Sequence, residues 1–371
     1  MTTKQMSMVR LIALFCAAFL LIANVNAFAQ EAAAQTKAEI ERVQQSLKDK
    51  PIANTDIPEL NTEIEGCLKS ASAALEAGQL YLSLESLGRA EDYVQGARTL
   101  DAKADAIKDS LPAFESEWGK ASVQLTALDK SARGKDWSRT TAAIQAISEA
   151  AQGRAIPLLE GSRGFATATK PTDGLFYMGQ AQGEADFAVF VTKLNSPRKA
   201  APIPLRSVLS ELETLQEKTN AAFQPPLSID MHPRFIALNS TIKFARELDS
   251  SKSYAGAFYQ YLEAVRHHGM LDPTVPDAAN QKALRTTVAE EVKKVAASKH
   301  DDSIAQIFLE RARAWLNKPD RAAASPDEWR AVRVIVKQVL PAYYAALKPA
   351  APLQRRAGRT ATLTLVRWPY T

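Results

Sequence analysis

Apolar residues recur every three or four positions along most of this chain, and this spacing places them on one face of an α-helix. Three stretches show the pattern most clearly: Ile57, Leu60, Ile64, Leu68, Ala71 and Leu75; Phe114, Trp118, Ala121, Leu125 and Leu128; and Ile304, Ile307, Phe308, Ala312 and Trp315. A hydrophobic content of 46% is sufficient for a buried core. The sequence therefore predicts an all-α fold of antiparallel helical hairpins, arranged as an irregular bundle or a short α-solenoid.

Local signals mark the ends of several predicted helices. Ser325 can cap a first turn, Pro326 suits the first helical position, and Glu328 completes a capping box. Pro341 has no backbone N–H donor, so we expect the helix that begins after Ser325 to bend at Pro341. The proline-rich stretch 195–204 is the predicted boundary between an N-terminal helical half, 30–195, and a C-terminal helical half, 205–348.

The first 29 residues have the three-part pattern of a secretory signal peptide. Two basic residues precede an uninterrupted run of 12 apolar residues at 11–22, which is shorter than the about 20 that a spanning helix needs. Ala27 and Ala29 supply the small residues that a signal peptidase accepts before the cut. We therefore expect cleavage after Ala29 and an exported protein, either periplasmic or extracellular.

Loss of this segment would leave Cys67 as the single cysteine, which excludes an internal disulfide. Cys67 is in helical register with Ile64, Leu68 and Ala71. This register favours a buried structural thiol over a nucleophile, because nothing nearby in the sequence would lower the thiol pKa.

Positive charge is concentrated at the C-terminal end. From Arg330 onwards there are eight basic residues and no acidic one, whereas the body before it is acidic. Such an end can dock on the protein's own body or on an anionic surface such as lipid headgroups. Nucleic acid is not an expected partner of an exported protein. A solvated helix face followed by a loose tail is the other interpretation of the same charges.

The final segment, 349–371, is a basic linker followed by a strand-like tail. Thr360 to Arg367 alternates threonine with leucine, the period of a β-strand. An isolated strand needs something to pair with, so the tail is a candidate partner-binding element. Its candidate contact residues are Leu363, Leu365, Arg367, Trp368 and Tyr370.

A glycine followed three residues later by an aromatic residue recurs more often than chance predicts. The four pairs are Gly78/Tyr81, Gly134/Trp137, Gly174/Tyr177 and Gly256/Tyr259. Alanines follow three of them in positions suited to close helix packing: Ala90, Ala143 and Ala264. The pattern weakly resembles fragments of tetratricopeptide-type helical-repeat proteins. The resemblance implies stacked antiparallel helix pairs, and an irregular helical bundle is the alternative.

Glu263 and His267 are four residues apart, so a helix would place them on one face, with His268 and Asp272 close behind. A carboxylate and an imidazole on one face can bind a metal or exchange a proton. Adjacent His267 and His268 point about 100° apart on a helix, however, and no established metal-binding spacing accompanies them. The sequence also contains no nucleophile motif and no complete phosphate-binding loop.

These observations predict an exported helical binding or scaffold protein of the cell envelope, without a catalytic site or cofactor. Its expected partner is another envelope protein or a peptide, held in the groove that stacked hairpins expose. One alternative is a metal-dependent enzyme that uses Glu263, His267, His268 and Asp272. The other is a peripheral membrane protein attached through its basic C-terminal region.

The export hypothesis fixes the first residue of the mature protein. In a secretion-competent bacterial host, mass spectrometry of the exported protein should show Gln30 at its N-terminus. Ala29→Tyr should block cleavage, because a bulky ring does not fit the small subsite, whereas Phe28→Trp at the neighbouring position should not. Uncut wild-type protein would contradict the signal-peptide interpretation.

Overall fold

The computed structural model describes residues 30–53, 57, 59–198, 200–224, 229–317 and 324–348. The predicted signal peptide, 1–29, and the predicted linker and strand-like tail, 349–371, lie outside the described residues. So do the candidate contact residues of that tail: Leu363, Leu365, Arg367, Trp368 and Tyr370.

The described chain is α-helical, with no β-strand and only two isolated bridges, Thr140–Pro197 and Ala201–His300. Its helices are α1 (30–49), α2 (Leu60–Glu76), α3 (Leu80–Ile107), α4 (Leu111–Arg133), α5 (Ala142–Ala168), α6 (Pro171–Lys193), α7 (Leu209–Ala222), α8 (His232–Ser250), α9 (Tyr254–Gly269), α10 (Ala278–Ala296), α11 (Ser303–Leu316), α12 (Pro326–Val334) and α13 (Leu340–Ala346). The prediction of an all-α class is confirmed. Within the described ranges, no helix is long and apolar enough to cross a membrane.

Helices α3, α5 and α6 form the centre of the N-terminal half. Helix α6 packs along both α3 and α5, while α2 covers α3 and α4 covers α5 and α6. The predicted apolar faces point inward: Ile64, Leu68 and Ala71 of α2 are buried, as is Phe114 of α4. Cys67 packs at the edge of this core and is half-buried, and burial raises the pKa of its thiol.

The C-terminal half is joined to the same core. Helices α8 and α9 form a hairpin against α5, and α11 packs on both α3 and α5. Ile304, Ile307 and Phe308 of α11 are fully buried, as their spacing predicts. The stretch predicted as a boundary, 195–204, is non-helical where it is described, but the halves on either side of it share one hydrophobic core.

The predicted start of α12 is confirmed. The Ser325 hydroxyl accepts from the Glu328 backbone N–H, and the Glu328 carboxylate accepts from that of Ser325, which together make the capping box. Ahead of Pro341, residues Ile335–Val339 form a π-helical turn. The wider turn accommodates a ring that lacks an N–H and would otherwise clash with the carbonyl four residues earlier.

The glycine–aromatic pairs occupy different places. Gly78 precedes α3 with a φ of 69°, and Gly256 is the third residue of α9. Gly174 lies in the first turn of α6, whereas Gly134 ends α4 and its partner Trp137 lies in the following loop. The pairs therefore do not mark equivalent units, and the tetratricopeptide resemblance stays a prediction.

Two buried carboxylates, Glu310 of α11 and Asp301 just before that helix, cap helices that are distant in sequence. The first turn of α3 has no cap from its own preceding side chain; instead Tyr81 and Leu82 donate their backbone N–H groups to Glu310, at 2.9 and 3.0 Å. Likewise the Ala142 N–H, at the start of α5, donates to Asp301 at 2.7 Å. These bonds satisfy first-turn donors that no helix can satisfy internally.

Two further carboxylates do the same between other elements. Glu149 of α5 accepts the Gly256 N–H at the start of α9, and Asp249 of α8 accepts the Val208 N–H before α7, both at 2.7 Å. Neither α7 nor α9 has a side-chain cap from its own N-cap residue. The starts of α3, α5, α7 and α9 are thus fixed by carboxylates of other elements.

Close approach of α6 to its neighbour α3 depends on glycine, which gives a matched stability test. A Cβ at Gly179 would collide with the Gln95 carbonyl oxygen of α3, whereas one at Gly161 of α5 would meet no atom within 4 Å. Gly179→Ala should lower the free energy of unfolding by about 1–3 kcal/mol. Gly161→Ala should raise it by about 0.5–1 kcal/mol through helix propensity.

Chemical denaturation monitored by circular dichroism measures both values. Equal effects of the two substitutions would contradict the contact of α6 with the α3 backbone.

Candidate functional site

A cavity of about 620 Å³ opens between the two halves of the chain. Helices α3, α5 and α6 line one side, and α8, α9 and α11 line the other. A second cavity of about 530 Å³, between α3, α5, α6 and α8, shares four wall residues with the first: Arg89, Asp92, Arg154 and Glu184. We call the two cavities together the polar groove, and these four shared residues its neck.

A buried ion cluster lines the first cavity of the groove. The Arg311 guanidinium donates to both oxygens of Glu85, at 2.8 and 2.5 Å, and to the Tyr259 hydroxyl at 2.6 Å. It also donates to Glu263, and the Tyr259 hydroxyl donates to Glu85. One arginine of α11 therefore ties α3 to α9 through two carboxylates.

Arg266 completes this cluster. It donates to the second oxygen of Glu263 at 2.8 Å and lies 3.3 Å from Nε2 of His267. Burial alone would raise the pKa of Glu263, but the charges and hydrogen bonds of Arg266 and Arg311 lower it to about 2. Burial and the Arg266 charge lower the pKa of His267 to about 4, so this imidazole is neutral near pH 7.

The neck contains one hydrogen-bonded ion pair and one buried carboxyl. Arg154 of α5 donates two hydrogen bonds to the buried Glu184 of α6, one of them at 2.9 Å. The Asp92 carboxyl of α3 lies beside Glu184, and its Oδ1 atom is buried without a hydrogen-bond partner. Burial, together with the neighbouring Glu184 charge, raises the pKa of Asp92 well above its ordinary value.

Arg89 is the exposed member of the neck. It precedes Asp92 by three residues on α3 and contributes to both cavities. Within the described part of the chain, its guanidinium has no carboxylate partner, unlike those of Arg154, Arg266 and Arg311. The neck therefore places an exposed guanidinium and a largely buried carboxyl about one helical turn apart on α3.

The structure does not assemble the predicted metal ligands. Both oxygens of Glu263 are bonded to arginines, and Asp272 lies beyond α9, where it accepts from Arg333 at 2.7 Å. Of the two histidines, only His267 lines the groove. Among the residues that the structure describes, no group of three or more His, Cys, Asp or Glu residues is arranged to hold a metal ion.

The cluster also has little capacity for acid–base chemistry. His267 is a weak base because its pKa is low, and Glu263 is held ionised by two guanidinium groups. Burial raises the pKa of the Tyr259 hydroxyl well above its ordinary value. These groups orient one another and are better suited to shaping a binding surface than to transferring protons.

The described part of the basic C-terminal region is partly neutralised within the protein. Arg330 is buried and paired with Asp327, and Arg333 is paired with Asp272. Lys337 and Lys348 are exposed.

Sequence analysis identified Glu263 and His267 but missed the residues that organise them. Glu85 and Arg311 are 226 positions apart, so no local spacing connects them. The one available signal was on α9, where Tyr259, Glu263 and Arg266 recur at helical spacing and share a face. Asp92 and Glu184 gave no signal, because their meeting depends on the packing of α6 on α3.

The chain matches no protein-family model, no curated protein and no solved structure.

The ion cluster predicts a large difference between two positive residues. Arg311→Met would leave Glu85 and Glu263 short of their shared cation in a buried setting and should destabilise the protein by about 3–5 kcal/mol. Lys243→Met removes only one partner of an exposed pair and should cost about 1 kcal/mol or less. Urea unfolding of both variants tests this; similar losses would contradict the structural role of Arg311.

Proposed function

We propose that this is an exported, non-catalytic binding protein whose polar groove holds a segment of a partner protein or a peptide. The observation that carries the proposal is the groove itself, two adjoining cavities with mixed charged and aromatic walls, where Arg89 is exposed and, among the described residues, has no carboxylate partner. An exposed guanidinium without an internal partner is available to bind a carboxylate of a ligand.

The dimensions and the walls of the groove support this proposal. Each cavity lies within the range of about 300–1,000 Å³ that is usual for ligand sites. Aromatic side chains stand among the polar ones: Trp315 in the first cavity, Tyr93 and Phe244 in the second. Both signs of charge are present, as a polypeptide segment with mixed side chains requires.

Rigid walls favour binding by reducing the entropy lost when a ligand is held. The Arg311 cluster fixes α3, α9 and α11 relative to one another, and the Arg154–Glu184 pair fixes α5 to α6. The groove is thus formed before any ligand arrives.

The two alternatives have weaker support. A metal-dependent enzyme would have to release Glu263 from two arginines and bring Asp272 away from Arg333. Attachment to an anionic membrane would have to use basic residues other than Arg330 and Arg333, which are paired within the protein. Export rests on the signal-peptide pattern of residues 1–29.

Filling the groove tests the proposal. Ser86 of α3 lines the first cavity, so Ser86→Trp should obstruct it, whereas Gln124→Trp places the same side chain on the exposed surface of α4. Peptides selected from a random 15-residue display library on the wild-type protein should bind Gln124→Trp equally in calorimetry. They should bind Ser86→Trp at least about tenfold more weakly.

Failure to select any binding peptide would contradict the proposal. So would peptides whose affinity is unaffected by Ser86→Trp while that variant remains folded.

A further inference from the structure

Ion pairing in the walls of the polar groove leaves Arg89 without a carboxylate partner. Arg89 lines both cavities and is exposed, and among the residues that the structure describes no carboxylate is paired with it. The other arginines and the lysine of the two walls are each paired with a carboxylate that lines the same cavities: Arg154 with Glu184, Arg266 with Glu263, Arg311 with Glu85 and Glu263, and Lys243 with Glu247.

Asp92, which lies about one turn further along α3, does not neutralise Arg89. Its carboxyl is hydrogen-bonded to Glu184 and is not paired with the Arg89 guanidinium. Burial, the Glu184 charge and this hydrogen bond raise the pKa of Asp92 well above its ordinary value, which favours the neutral carboxyl. The groove therefore has an excess of one positive charge, at Arg89, and an acidic group is the part of a ligand that offsets it.

Apolar side chains line the second cavity beside Arg89. Tyr93 follows Arg89 by four residues on α3, so their Cβ atoms are about 5–6 Å apart on one face of the helix. Leu158 of α5 and Phe244 of α8 complete this surface, which we call the apolar wall, and all three of its side chains are partly exposed. A ligand that covers the apolar wall gains free energy by removing this surface from water.

An extended polypeptide can present both kinds of group to these positions. Alternate side chains of an extended segment lie on the same side, about 6.5–7 Å apart. This separation is close to that between Arg89 and Tyr93, so one residue of the segment can reach the guanidinium while the next but one packs on the apolar wall.

We propose that Arg89 and the apolar wall form a subsite for an extended segment of a partner protein that carries an acidic residue two positions before an aromatic one. The carboxylate accepts hydrogen bonds from the Arg89 guanidinium, and the ring packs in the second cavity. This inference rests on the proposed function and specifies which segment the groove selects.

Three labelled peptides of nine residues test it. They share an Ala/Ser background and differ only at a central triplet: Asp-Ser-Phe, Asn-Ser-Phe or Asp-Ser-Ala. In fluorescence anisotropy at low salt, the first should bind the wild-type protein at least about tenfold more tightly than either of the others, because each of those lacks one of the two contacts.

Substitutions of Arg89 test the acidic half of the subsite. Arg89→Gln should abolish the preference for Asp-Ser-Phe over Asn-Ser-Phe. Arg89→Glu should invert the charge preference, so that a peptide with Lys-Ser-Phe binds more tightly than one with Asp-Ser-Phe. The control Lys69→Gln removes an exposed positive charge of α2 outside both cavities and should leave all preferences unchanged.

A pair of phenylalanines tests the apolar half. Phe244→Ala removes a ring from the apolar wall and should reduce the preference for Asp-Ser-Phe over Asp-Ser-Ala to about threefold or less. Phe165→Ala removes a partly exposed ring of α5 outside both cavities and should keep the full preference. Circular dichroism establishes that each variant is folded.

The outcomes separate this inference from the function on which it rests. Equal binding of all three peptides, weakened by Ser86→Trp, would overturn the subsite and leave the groove as a peptide site. Free 3-phenylpropionate that binds as tightly as the Asp-Ser-Phe peptide would overturn the polypeptide segment as ligand. If Phe244→Ala fails to fold, Arg89→Glu decides, and an unchanged preference for aspartate there overturns the proposal.

Discussion

The architecture depends on buried carboxylates that close the first turns of helices far away in sequence. An uncapped helix start leaves backbone N–H groups without partners, which cannot be tolerated inside a core. Glu310 satisfies α3, Asp301 satisfies α5, and Glu149 satisfies α9, each across more than a hundred residues. Each bond joins a negative group to the positive end of a helix dipole, so the contact fixes both the position and the direction of the helix.

The groove inherits its rigidity from these caps. Glu310 and Arg311 are consecutive on α11: the first binds the start of α3, and the second binds Glu85 one turn further along the same helix. Burial raises the pKa of Glu310 to about 7, which shows how much hydration the carboxyl gives up for this role. Glu310 of α11 thus fixes the start of α3, and the adjacent Arg311 fixes one wall of the groove.

Local patterns predicted what local forces determine. The apolar stripes of α2 and α11 and the capping box at Ser325 depend on residues within a few positions. The expectation at Pro341 was a bend, and the structure has a π-helical turn, Ile335–Val339, before that residue. The glycine–aromatic pairs gave no equivalent units, because Gly134 ends a helix whereas Gly256 lies near the beginning of one. The neck and the ion cluster lay beyond local patterns: Asp92 meets Glu184 only because Gly183 permits close packing, and Arg311 meets Glu85 only in the folded core.

The charged character of the groove is not explained by stability. Burying ion pairs such as Arg311–Glu263 costs hydration that their attraction only roughly offsets, and apolar residues of similar size would hold the helices at least as well. Among the described residues, Oδ1 of Asp92 is buried without a hydrogen-bond partner, which costs free energy. Gly183 lets α3 and α6 pack closely, and the same contact buries the Asp92 carboxyl. Close packing of the two helices does not by itself require a carboxyl at this position. Under the proposed function, the charged and aromatic walls of the groove serve the binding of a partner segment, which stability alone does not require.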